Sequence, residues 1–286
     1  MMRHLIPVAA ACFVIGVASA QAPTALDGEA RLAAALGELQ PQRPGIVDAY
    51  VVVAALDSDP VFGREAREAG RVLASRFDAE GRTIVLADDE GADRPDGTGT
   101  PEHLSQALAR AGALMDRDED VLVLYTTSHG TPHEGLNFRH DKLGSAVIAP
   151  PQLAAMLAVP GFQNRLIILQ ACFSGQFIPA LAAPRTVVAT AASSMNSSFG
   201  CSASNDWTFF GHALVNRAMR TPDTFARQFR RAVVAIIGWE KKVGIAPSNP
   251  QISIGSETAS WLAALDQRAR PVPPTPVGRP PSELAE

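Results

Sequence analysis

Two residues in this sequence have types and positions suited to nucleophilic chemistry, His129 and Cys172, which stand 43 residues apart. Each follows an apolar run: VLVLY leads through Thr126, Thr127 and Ser128 to His129, and RLIIL leads through Gln170 and Ala171 to Cys172. A thiol is a strong nucleophile only as thiolate, and a nearby imidazole can take its proton or stabilise its charge. Gly130 directly follows the histidine, and Gly175 closes the turn after the cysteine. Glycine lets backbone N–H groups approach a developing oxyanion with no side chain in the way. Taken singly, Cys172 reads as a small buried apolar residue and His129 as a hydrogen-bonded core histidine. Both ending consecutive core strands favours a Cys/His dyad for acyl transfer.

For the two to meet, their strands must be neighbours in one sheet, since functional groups of open parallel sheets collect at the carboxyl ends of the strands. Residues 49–56 (AYVVVAAL) form the β-branched apolar run of a strand buried on both faces. Further strands are predicted at 82–87, 120–126, 165–171, 185–191 and 250–254, and helices near 62–78, from Pro101, at 151–158, 206–219 and 222–241. Strands alternating with helices predict an α/β fold, a mostly parallel sheet of about six strands with helices on both faces. Thr100 as N-cap before Pro101 explains DGTGTP without a ligand. A phosphate loop there is opposed by the acidic Asp88, Asp89, Glu90, Asp93 and Asp96. Asp116, Asp118 and Asp120 have calcium-loop spacing, but no glycine follows at the sixth place and Thr127 stands where a bidentate Glu is needed, so they read as a solvated turn.

With 286 residues, 47% of them apolar and 19% charged, the chain has material for one large α/β core. A formal charge of −4 argues against nucleic acid as partner. Arg3, an apolar stretch from Leu5 to Val17 and the small-x-small Ala18-Ser19-Ala20 read as a secretory signal cut after Ala20. The stretch falls short of the roughly 20 residues a bilayer needs and is broken by Pro7. The expectation is an exported protein, periplasmic or extracellular, with no stable membrane insertion after cleavage. Its organisation is a signal at 1–20, an N-terminal extension at 21–45, a catalytic domain at 46–268 and a proline-rich tail at 269–286, expected to be extended and mobile. Cys172 and Cys201 remain after cleavage, and in an oxidising compartment a single bridge between them is the plain alternative to a catalytic thiol. A zinc site from Cys172, Cys201, His129 and His212 lacks any close ligand pair, and no G-x-S-x-G marks a serine hydrolase.

SHG at 128–130 and ACFSG at 171–175 resemble the paired motifs of the legumain family, asparaginyl endopeptidases and the catalytic subunit of GPI transamidase, in the clan that includes caspases. The resemblance is closest to bacterial members. It continues in RPGIVDAY (43–50), VFGREA (61–66), SSFGCSASNDWTFFG (197–211) and SNPQISIG (248–255), so it spans roughly residues 43–258. It implies a caspase-like fold, hydrolysis of peptide bonds through a thioester, a peptide or protein substrate, and neither metal nor organic cofactor. Carried over, Cys172 matches the nucleophile, His129 the general base and Gly130 the oxyanion-hole donor. Arg64, Gln170, Ser197 and Asp206 match positions lining the pocket for the residue before the scissile bond; outside that role Arg64, Ser197 and Asp206 read as a helix-surface arginine, a loop serine and a helix-capping aspartate.

Three departures accompany the match. Phe62 stands in place of an asparagine sometimes assigned as third catalytic member, which leaves a dyad; Gln170 replaces a glutamate and Glu65 a histidine. A guanidinium offers only donors and a carboxylate only acceptors, so Arg64 with Asp206 matches a primary amide, and asparagine is the first choice before the scissile bond. Loss of the glutamate at 170 lowers the penalty against aspartate. The same thioester resolved by an amine gives transpeptidation or ligation. A degenerate caspase-like binding domain is opposed by the intact His129 and Cys172. Masking by a C-terminal prodomain is not expected from the short segment after residue 258.

Overall fold

Seven residues as apolar as AYVVVAA can form a stable strand only where both sheet faces are covered, and in the computed structural model every one of them is buried. Residues 25–88 and 93–281 are described, so the expected signal segment lies outside the described residues. In chain order the elements are α1 (Ala25–Glu38), β1 (Ala49–Ala55), α2 (Pro60–Arg76), β2 (Thr83–Leu86), α3 (Pro101–Leu114), β3 (Val121–Thr127), β4 (Gly130–Thr131), β5 (Gly135–His140), β6 (Gly144–Ile148), α4 (Pro150–Ala158), β7 (Asn164–Gln170), α5 (Ile178–Leu181), β8 (Thr186–Thr190), α6 (Phe209–Leu214), α7 (Phe225–Val243), β9 (Gln251–Ile254) and α8 (Ala259–Arg268).

The main sheet has six strands in the order β2-β1-β3-β7-β8-β9. All pairs are parallel except the last, where β9 runs antiparallel to β8 at the edge. Strand side chains alternate between two cores, as a period of two requires. Val51, Val53, Tyr125 and Ile168 face Phe62, Phe210, Phe229 and Trp261 of α2, α6, α7 and α8. Tyr50, Val52, Leu124 and Ile167 face Leu32, Leu104 and Leu153 of α1, α3 and α4. The expected α/β sheet of about six strands, covered on both faces, is what the chain forms. Among the described residues no helix is long and apolar enough to cross a membrane.

The structure also departs from the sequence reading. Residues 130–148 form an antiparallel meander, β4-β5-β6, that no predicted element covered. The helix expected at 206–219 is reduced to α6 and a short 3₁₀ turn at Ala218–Arg220. Its N-cap is Thr208, whose side chain accepts from Gly211 N at 3.1 Å, so Asp206 does not cap it. Within the segment at 21–45, α1 packs into the core: Leu32 is buried, and Glu29 meets His103 Nε2 at 2.9 Å. The tail is docked by Trp207 Nε1, which donates to Val277 O at 2.7 Å, and by Asn216, which donates to Val277 O at 3.0 Å and accepts from Val277 N at 2.9 Å.

Asp120 is likewise no solvated turn residue, for it is fully buried and accepts from Asp48 N and Asp116 N, both at 2.8 Å. Burial, reinforced by the charges of Asp48 and Asp116, pushes its carboxyl up to about 6 from an ordinary 3.8. The folded state therefore binds this proton more tightly than the unfolded chain does. The resulting stability is present below about pH 4 and is lost as pH rises to about 6. Asp120→Asn carries no such proton, so its melting temperature relative to the parent should rise across that window. A difference that stays flat in a pH series of thermal melts would contradict this account.

Candidate active site

Parallel pairing of β3 with β7 runs in register up to Thr127 opposite Gln170, and Ser128 N adds a last rung to Gln170 O at 3.1 Å. The two chains leave the sheet side by side from that rung. His129 and Cys172 are each two residues past the Thr127 and Gln170 pair. The chains are so close that a Cβ on Gly130 would lie 2.1 Å from the carbonyl oxygen of Cys172, which excludes any side chain at 130.

His129 is fixed from three sides. Its carbonyl accepts from Asn137 N of β5 at 3.0 Å. Its ring packs edge-on against Phe62, centroids 5.0 Å apart at 89°. Its Nε2 stands 2.8 Å from Asp59 Oδ2. Cys172 is half-buried on a sharp turn. The next residue, Phe173, adopts φ 57° and ψ 15°, a left-handed conformation costing a non-glycine residue about 1–2 kcal/mol. Bonds from Phe173 N to Asn196 O (2.8 Å) and from Gly175 N to Ala192 O (2.9 Å) hold it there. Gly175 is needed because a Cβ would stand 2.6 Å from Ser194 N. The thiol meets the backbone of Ser198, with Sγ 3.3 Å from its N and 3.5 Å from its O. Neither Cys172 nor Cys201 is in a disulfide, so the alternative bridge is not formed. Among the described residues, His129 and Cys172 share no hydrogen bond; such contacts are commonly long in unliganded sites and tighten on substrate binding.

The four other candidates are only partly gathered. Arg64 Nε is 2.9 Å from Asp206 Oδ1, and its guanidinium also donates to the carbonyls of Ala203 and Asn205. Asp206 in turn accepts from Arg279 N at 2.7 Å and Nη2 at 2.8 Å. Burial pushes its carboxyl up, but Arg279 and Arg64 beside it outweigh that and hold it below the ordinary value. Ser197 is exposed, adjoining the Ser198 that touches Cys172. Gln170 is buried at the end of β7, its Oε1 facing Thr127 Oγ1 at 3.5 Å. Glu65 is turned away from any open pocket: fully buried, it accepts from Tyr125 OH (2.6 Å), Thr208 N (2.7 Å) and Thr208 Oγ1 (2.8 Å). Its burial, set against these bonds, raises its carboxyl above the ordinary range.

Sequence reasoning missed Asp59, Asp57 and Arg139. Their signal was present as Asp57-Ser58-Asp59-Pro60 directly after β1, at the same sheet edge as His129. Asp57, Asp59 and His129 hold potential ligand atoms within 4.8 Å of one another. Arg139 Nη2, however, bonds both carboxylates, to Asp57 Oδ1 at 2.8 Å and to Asp59 Oδ1. A guanidinium there opposes a second cation. The zinc set weighed from sequence is not assembled: His212 is buried beside Trp239, with Nδ1 3.1 Å from Asn216 Nδ2, and burial lowers its imidazole to about 4.

The search of curated proteins gives no match. Among solved structures, caspase-1 from Spodoptera frugiperda is similar with a TM-score of 0.47 and 13% identity, over 76% of this chain and 89% of that one. The model of the Peptidase C13 family matches residues 99–259, a segment that carries β3, β7, His129, Cys172, Gln170, Ser197 and Asp206 while leaving Arg64 outside it. That match covers more than half of the chain, which therefore belongs to the Peptidase C13 family, the legumain family of cysteine peptidases.

Proposed function

We propose that this cysteine peptidase is an endopeptidase that acts through Cys172 and His129. The observation that supports the reading is the in-register end of β3 and β7, from which both residues follow, with the Gly130 backbone against the Cys172 carbonyl. His129 takes the thiol proton, and the sulfur attacks the scissile carbonyl carbon. The carbonyl electron pair moves to oxygen, where the Gly130 N–H stabilises it. Collapse breaks the C–N bond, and the imidazolium proton leaves with the amine. Water then gives its proton to His129, attacks the thioester and releases the acid and the thiol.

The acceptor side of the specificity reading is weakened by Arg279. Two guanidiniums flank the one carboxylate of Asp206, so an aspartate before the scissile bond meets less repulsion than Asp206 alone would exert. Asparagine stays the first choice, because its amide offers both a donor and an acceptor.

Three measurements test these readings. A thiol-directed electrophile should label Cys172 ahead of Cys201 in peptide mapping, while Cys172→Ala and His129→Ala should each lower kcat/KM by on the order of 10³-fold or more; full activity in either variant ends the dyad. Peptides carrying Asn, Asp, Gln or Ala before the cleaved bond should rank Asn first and Asp second. In that panel Arg279→Ala should lower the Asp to Asn ratio by about two- to threefold, a small effect because Arg279 is exposed, and Gln170→Glu should lower it as well. Failure of Asn to lead removes the pocket assignment, and an unchanged ratio in Gln170→Glu removes residue 170 from it. Finally, the N-terminal segment motivates action after export, with a mature chain that mass spectrometry should find beginning at Gln21.

A further inference from the structure

An aspartate directly before Pro60 at the head of a helix is ordinarily read as an N-cap, its side chain accepting from backbone N–H groups of the first turn. Asp59 occupies that position on α2 and makes no such bond. A cap is worth about 1 kcal/mol, so leaving it unmade needs a reason. The carboxylate is turned instead to His129, with Oδ2 2.8 Å from Nε2.

The surroundings hold it in that direction. Asp59 N donates to Asp57 Oδ1 at 2.9 Å, closing a tight turn after β1. The buried Asp57 binds Arg139 Nη2 at 2.8 Å, and the same nitrogen reaches Asp59 Oδ1. Backbone bonds at 3.0 Å from Ser58 N to Arg139 O and from Arg139 N to Leu56 O lock this turn to β5. One oxygen of Asp59 is therefore held by Arg139, and the other is left for the imidazole.

We infer that Asp59 is the positioning residue of this site, accepting the Nε2–H of His129 so that Nδ1 is the nitrogen that exchanges a proton with Cys172. It fills by another route the third place left open by Phe62, whose ring edge fixes the imidazole plane from the helix side. A carboxylate at Nε2 selects one neutral tautomer and stabilises the imidazolium formed when the thiol gives up its proton. The charged groups facing the imidazole are Asp59 and, behind it, Asp57 from the end of β1 and Arg139 from β5, with the Cys172 thiol on the β7 side. Burial pushes the Asp59 carboxyl up, but His129 and Arg139 outweigh that and hold it below the ordinary range, so it stays ionised where the enzyme would work.

This inference rests on the Cys172/His129 reading, and the experiment separates the two. In the full chain, kcat, KM and their pH dependence are measured on the best-cleaved peptide for the parent, Asp59→Asn, Asp59→Ala, Asp59→Glu and His129→Ala, with thermal melts alongside. Asp59→Asn and Asp59→Ala should lower kcat by about 10- to 100-fold with KM changed less than about threefold. The alkaline limb of kcat/KM, which reports loss of the one proton shared by the Cys172 and His129 pair, should move down by on the order of one pH unit. Asp59→Glu should recover part of both. If Asp59→Asn folds as the parent does and keeps its kcat and its alkaline limb, Asp59 does not position His129 although the dyad stands. Should Asp59→Asn melt early, Asp59→Glu decides: an activity loss with an unmoved limb marks a purely structural residue and overturns the inference. Loss of parent activity on chelation, restored by zinc, overturns it too, because the Asp57, Asp59 and His129 cluster would then hold a metal. Full activity in His129→Ala ends the dyad and this inference together.

Discussion

The site depends on one constraint, the register between β3 and β7. A slip by one residue would turn every side chain of a strand to the opposite core, so the fit of Val123, Tyr125 and Ile168 into one core and of Leu122, Leu124 and Ile167 into the other holds Thr127 opposite Gln170. The final backbone rung from Ser128 N to Gln170 O carries that register one residue beyond the sheet. From there the chain has no freedom to separate His129 from Cys172, because Gly130 lies against the Cys172 carbonyl. The meander and the 192–198 loop are secondary to this pairing. One grips the His129 carbonyl through Asn137, and the other clamps the left-handed Phe173 through Asn196 and Ala192.

Buried carboxylates then tie the helices to that edge. Among the described residues Glu65 has no counter-charge within its hydrogen bonds, which come from the Tyr125 hydroxyl, the backbone and side chain of Thr208 and the side chain of Thr127. It joins α2 to β3 and to the head of α6, and Gly211 must lack a Cβ, which would lie 2.4 Å from Glu65 Oε2. A group of this kind is destabilising if any partner is lost, because desolvation remains while the hydrogen bond goes. Its consequence is positional: α2 cannot shift against β3, so Phe62 stays on His129 and Arg64 stays on the 203–206 loop.

The strands and their order were legible because a parallel sheet writes itself as unbroken β-branched runs, and β1, β3, β7 and β8 are such runs. The meander was not legible for the opposite reason. Four of the five residues of β6 are exposed, so burial imposed no apolar alternation on GSAVI. The helix at 206–219 was overdrawn because FFGHALV is buried by tertiary packing all round, which erases the one-sided pattern that marks a helix boundary. His129, Cys172 and Gly130 were candidates already from their strand ends. Asp59 was not, since aspartate before proline has an ordinary explanation in helix capping, and only the direction of its carboxylate excludes that explanation. Composition misread the tail as well: its docking rests on the carbonyl and amide of Val277, groups that every residue has and no sequence pattern distinguishes.

That docking changes what Arg64 and Asp206 can be. Asp206 N donates to Arg279 O while Arg279 N donates to Asp206 Oδ2, so two stretches 73 residues apart in sequence are paired through main chain as well as charge. With Arg64 on one side of the carboxylate and Arg279 on the other, neither guanidinium is an isolated charge waiting for a ligand; each is partly neutralised before any substrate arrives. On the specificity reading proposed above, such a pair suits a neutral, polar side chain, which asks for hydrogen bonds without desolvating a lone charge. The proline-rich segment assists by composition. Proline restricts φ and so lowers the entropy lost when Arg279 is held in place, which makes a short strap ending in Gly278 and Arg279 a stiffer wall than its lack of secondary structure would indicate.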